Sequence, residues 1–131
     1  MRSSSAALLL ALLPTLAGCA MSAAERPPLR TVAEASDHHA TSRHADVVAF
    51  VDALVERSPL AHRASMGSTV EGRDIPLLIV ADPPVADRDA ARRAVADGRV
   101  LCFVFANIHA GEVCGKEASL ILARELLADP A

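Results

Sequence analysis

Between Gly98-Arg99 and the polar stretch that opens at His109 runs VLCFVFANI, Val100 to Ile108, with no charge, glycine or proline in it. A short apolar run rich in β-branched and aromatic residues fits a strand covered on both faces, which makes it the expected centre of a sheet. Directly after it, GEVCGKEASLILARELLAD sets Val113, Leu120, Ile121, Leu126 and Leu127 among good helix formers, with Lys116, Glu117, Arg124 and Glu125 assigned to a solvated face. A buried strand feeding an amphipathic helix is the signature of an α/β layer arrangement.

The upstream pattern agrees. In SRHADVVAFVDALVERSP, residues Val47, Val48, Val51, Leu54 and Val55 share one side of a helical wheel, Asp46 favours the first turn, and Ser58-Pro59 ends the helix. Two strand-like pieces, in RASMGSTVEGRDIPLLIVAD, flank Glu71-Gly72-Arg73-Asp74 and predict a hairpin whose exposed turn relies on the glycine. Pro76 is tolerable near the start of the second piece. The alanine- and charge-rich PPVADRDAARRAVADG predicts a short surface helix ending at Gly98. Read in order, helix, hairpin, helix, buried strand and helix predict a mixed α/β domain.

At 131 residues, about half of them apolar, the chain has enough material for one small core. A net charge of -3 with scattered basic residues, and no tryptophan or tyrosine for stacking bases, excludes nucleic acid as a partner. The opening MRSSSAALLLALLPTLAGCA has one cation at Arg2 and an apolar run from Ala6 to Leu13, interrupted by Pro14. That run is well short of the about 20 apolar residues a spanning helix needs, and reads as a secretory signal. Leu16-Ala17-Gly18-Cys19 resembles the bacterial lipobox, whose cysteine is acylated and becomes the mature N-terminus. The expected organisation is a lipoprotein signal over 1–19, a flexible tether over 20–40 and a folded domain over 41–131, exported and held on a membrane surface of the bacterial cell envelope through lipid on Cys19. Cys102 and Cys114 then remain, and both are expected as small buried thiols.

His109 and Glu112 carry the chemistry. Residues three apart on a chain turning into a helix can face one point, and an imidazole with a carboxylate suits zinc. His109 also stands at the carboxyl end of the expected central strand, where ligands bind in open α/β sheets. The competing reading is a strand-end histidine followed by a helix-start glutamate favoured by the dipole. His38 and His39 fall in the tether, His44 precedes the first helix, and His62 enters the hairpin; all four read as surface residues. Gly111 and Gly115 are expected to allow close backbone approach around the pair.

NIHAGEVCGKEASLILARELL, preceded by MGSTVEGRDIPLLIV and DVVAFVDALVERSP, resembles the N-terminal part of a zinc carboxypeptidase of the carboxypeptidase A type, from about Arg43 to Leu127. The resemblance implies a three-layer mixed sheet with helices on both faces, a zinc cofactor with His109 and Glu112 as its first two ligands, and hydrolysis of peptide substrates. In the family the third ligand, a histidine, the catalytic glutamate and a carboxylate-binding arginine come later than residue 131, so the resemblance implies an incomplete domain with no catalytic residue of its own and negligible peptidase activity. Digestive members have an arginine between the two ligands; here Ala110-Gly111 fills that gap, which leaves specificity for a C-terminal residue open. The HAGE form is also similar to bacterial members and to the aspartoacylase-like deacylases, so an amide substrate is an alternative, as is a non-catalytic envelope lipoprotein.

Overall fold

The computed structural model describes residues 27–128, with elements α1 (Val32–Ala35), α2 (His44–Arg57), β1 (Ala61–Ser68), β2 (Asp74–Val80), α3 (Arg88–Ala96) and α4 (Val113–Ala128). The expected signal segment, Cys19 and the first part of the tether lie outside the described residues. Among the described residues no helix is long and apolar enough to cross a membrane.

Local chemistry explains most of these elements. At the start of α2 the Asp46 carboxylate accepts the Arg43 amide at 2.7 Å, and the helix stops where Ser58, next to Pro59, turns extended. Asp87 caps α3 by accepting the Ala90 amide at 2.7 Å. Strands β1 and β2 pair antiparallel from Ala61↔Val80 to Ser65↔Pro76, with an irregularity between Ser65 and Ser68. Gly72 closes their turn at φ +77°, a left-handed conformation that costs glycine little. The sheet of the described residues is this hairpin, so the molecule is mixed α/β as the sequence predicts.

The core is small. Phe50, Val51 and Leu54 of α2 meet Leu120 of α4, with Leu29, Val47, Leu78, Ala123 and Leu127 packed around them. Each fully buried aliphatic or phenyl side chain contributes about 1.5–3 kcal/mol, so this cluster supplies the apolar attraction between α2 and α4. Arg63 fastens the hairpin to α2, donating to Asp52 and to Asp74 at 2.8 Å each. The His44 ring nitrogen Nε2 donates to the Asp74 carbonyl at 2.7 Å.

Three expectations are corrected. First, the tether does not extend to residue 40: Leu29 packs on the core, Thr31 is 1% exposed, and Thr31 with Glu34 forms a capping box at α1. The stretch is held by polar anchors on a distant helix, since Arg124 of α4 donates to the Leu29 carbonyl at 2.7 Å and pairs with Glu34 at 2.7 Å. Second, Glu117 is not on a solvated face. It is 7% exposed, and its carboxylate accepts the Ser42 amide at 2.6 Å, the Thr41 hydroxyl at 2.8 Å and the Ser42 hydroxyl at 3.2 Å. Its neighbour Lys116 donates to the Ser42 carbonyl.

Third, Val100–Ile108 is no buried strand. It pairs with neither β1 nor β2, Val100 is 94% exposed, and Leu101, Phe103, Val104, Phe105 and Ile108 are also open to solvent. An apolar run becomes a central strand only when ladders form on both edges and layers cover both faces, and the described residues supply neither. Cys102 is exposed for the same reason, and Cys114, in the first turn of α4, is exposed as well.

Burial pushes the Glu117 carboxyl up, but the Ser42 amide and the Thr41 and Ser42 hydroxyls outweigh it, and the net shift is downward. Replacing Glu117 by alanine orphans the buried Ser42 amide and removes three bonds to a charged acceptor; the expected loss is about 2–3 kcal/mol in urea unfolding, with Glu117→Gln losing less. Glu34 is lowered from 4.5 to about 2, chiefly by its hydrogen bonds from Arg124 and then from the Thr31 amide. Its folded-state value lies below its unfolded one, so its stabilisation is full at neutral pH and fades as pH falls from about 4.5 toward 2. Unfolding curves over that window are expected to show a shallower acid loss in Glu34→Gln than in the wild type.

Candidate metal centre

Residues 109–112 form a turn that runs straight into α4. The Glu112 amide donates to the His109 carbonyl at 3.0 Å, closing the turn. Across it, His109 Nδ1 and Glu112 Oε1 stand 2.7 Å apart, and the second carboxylate oxygen lies 3.4 Å from the His109 amide nitrogen. The position of Glu112, next to the first residue of α4, places its charge where the exposed amides of a helix start favour an anion.

Both side chains are open to solvent, His109 at 79% and Glu112 at 56% exposure. Two shallow clefts lie elsewhere: one is lined by Leu29, Thr31, Ser42, Asp46 and Phe50, the other by Pro83, Val85, Arg93, Asp97 and Arg99. Neither contains His109 or Glu112. The pair therefore sits on an open surface at the end of the exposed apolar run.

The donor set can be tested against zinc. One imidazole nitrogen and one carboxylate oxygen are ligands zinc accepts, and Nδ1 and Oε1 already face each other. Two donors on a tetrahedral ion with bonds of about 2.0–2.1 Å stand roughly 3.3 Å apart. The observed 2.7 Å thus needs only a small opening, easy for exposed side chains. The two residues fit as part of a zinc site. Among the described residues no cluster of three or more His, Cys, Asp or Glu forms, so the pair is not joined by a third donor there.

The remaining histidines are placed apart from it. His38 lies in the turn after α1 with φ +63°, His44 is engaged with Asp74, and His62 pairs with Ile79 in the hairpin. Of the two glycines expected to permit close approach, only Gly115 does. A Cβ built on it would stand 3.2 Å from the Ala106 Cβ, whereas among the described residues nothing lies within 4 Å of one built on Gly111.

One residue of the turn escapes a reading based on ligand types. Asn107 has φ +61°, its Nδ2 reaches toward the His109 carbonyl at 3.4 Å, and its Oδ1 is buried with no partner among the described residues. The available signal was its type, since asparagine is enriched among non-glycine residues in left-handed backbone.

A model of the family described as zinc carboxypeptidase matches residues 47–130, more than half of the chain. Neither a curated protein nor a solved structure gives a significant match. The matched span covers α2 from Val47 onward, the hairpin, α3, the His109–Glu112 turn and α4, so Phe50, Val51, Leu54 and Leu120 of the core fall inside it together with the pair. The chain belongs to the zinc carboxypeptidase family.

Proposed function

We propose that His109 and Glu112 are the first two zinc ligands of a metal-dependent carboxypeptidase, the part of the metal site that the described residues supply. The observation that carries the reading is the 2.7 Å approach of Nδ1 to Oε1 on a solvent-open turn, inside the span that matches the family. When bound, zinc lowers the pKa of its water toward neutrality and polarises a carbonyl. His109 contributes a ring nitrogen, and Glu112 a carboxylate whose charge the start of α4 favours. Ala110 and Gly111 between them carry no charge, so the link itself offers nothing to hold a substrate carboxylate.

A catalytic zinc centre has three protein ligands and a general base, whereas the described residues bring together two donors. On this reading the described residues alone hold zinc weakly. The same reading has it exported and held on a membrane surface through lipid on Cys19.

Zinc titration of the purified protein by calorimetry tests the metal assignment. Removing a ligand costs at least as much as removing a ligand's supporting partner, so His109→Ala and Glu112→Ala are each expected to weaken zinc roughly tenfold or more. Unchanged affinity in both variants contradicts the assignment and favours a non-catalytic envelope module. For the anchor, Cys19→Ala is expected to move the protein from the membrane fraction to the soluble one, and an unaltered distribution contradicts lipidation at that residue.

A further inference from the structure

The His109–Glu112 pair is short-range in sequence, yet a four-residue link can place two side chains in many ways. What holds this link in one of them lies just before it. At Ala106 the chain is pressed against α4, because Gly115 presents bare backbone and a Cβ there would stand 3.2 Å from the Ala106 Cβ. At the next residue, Asn107, the backbone turns left-handed with φ +61°. Two residues later the His109 carbonyl receives the Glu112 amide at 3.0 Å, with Asn107 Nδ2 at 3.4 Å on the same oxygen.

The orientation of the Asn107 amide follows from that oxygen. Rotating the amide by half a turn would bring Oδ1 against the His109 carbonyl, oxygen to oxygen, so Nδ2 faces the carbonyl and Oδ1 is left buried with no hydrogen-bond partner among the described residues. An unpaired buried acceptor and a left-handed non-glycine residue both cost free energy. Both costs fall on one residue, immediately before the donors, and the rest of the turn exploits the chain direction they impose.

We infer that Asn107 and Gly115 are positioning residues that pre-organise the His109–Glu112 pair: Asn107 by its left-handed backbone, and Gly115 by letting Ala106 sit against α4. Neither touches the metal. The consequence for zinc rests on the proposed function above; the consequence for the turn does not. A binding-competent turn populated only in part lowers apparent affinity by that fraction. Alanine at position 107 resists positive φ, whereas glycine accepts it, so the two substitutions separate backbone from side chain.

The experiment combines two readouts on the full chain, with melting temperature as a control. In the absence of metal, hydrogen exchange at the Glu112 amide reports closure of the turn. Asn107→Ala is expected to exchange faster by roughly five- to tenfold and Asn107→Gly to stay within about twofold of wild type. Gly115→Ala is expected to raise exchange although alanine is the better helix former, so a melting temperature that does not fall marks displacement and not unfolding. With zinc, the calorimetric Kd is expected to follow the same order across the three variants.

Equal exchange in Asn107→Ala and wild type overturns the inference, as does an Asn107→Gly variant as fast as Asn107→Ala. If exchange follows the expected order while zinc affinity stays equal in wild type and His109→Ala, the pre-organisation stands and the metal assignment falls.

Discussion

A buried carboxylate on α4 holds the rest of the structure in place. Glu117 reaches the Ser42 amide and the Thr41 and Ser42 hydroxyls, joining residues 75 and 76 positions apart in the chain. With Lys116 on the Ser42 carbonyl and Arg124 on Glu34 and the Leu29 carbonyl, it binds one face of α4 to the segment leading into α2. Apolar contact between α2 and α4 supplies bulk attraction, which has no direction of its own. The charged, fully bonded contacts fix where along α2 the last helix sits.

That register matters because the candidate metal pair is attached to the start of the same helix. Glu112 immediately precedes α4, and Ala106 rests on Gly115 in its first turn. Chemistry and architecture therefore meet on one helix: the buried polar anchor at Glu117 lies in α4, and the exposed carboxylate at Glu112 sits directly before its first residue. The hairpin is fastened separately, through Arg63 to Asp52 and Asp74 and through His44 to the Asp74 carbonyl, and lends α2 a second support.

Elements set by their own residues were legible in the sequence. Helix α2 shows its apolar stripe and its stop at Ser58-Pro59, the hairpin its turn glycine at Gly72, and α3 its capping Asp87. Features that depend on remote partners were not. Residues 29–40 read as a tether because their anchors, Glu117 and Arg124, lie far downstream. A hint existed, since Glu117 precedes Leu120 by three residues and Arg124 by seven, which puts all of them on one helical face. Val100–Ile108 misled in the opposite direction, because apolar character announces a wish for burial and cannot provide the neighbouring strands that satisfy it. For the site, the meeting of His109 and Glu112 followed from spacing, whereas the role of Asn107 is visible only in its backbone angle and its orphaned oxygen.

Cys102 and Cys114 are exposed and thiolate is also a zinc ligand, so the most direct measurement is one that tells nitrogen and oxygen from sulfur around bound zinc. X-ray absorption of the zinc-loaded protein does so through bond length, with nitrogen or oxygen at about 2.0–2.2 Å and sulfur at about 2.3 Å. The account predicts an imidazole scattering pattern with no sulfur, lost in His109→Ala. A sulfur shell, or a histidine pattern that survives that substitution, would contradict it.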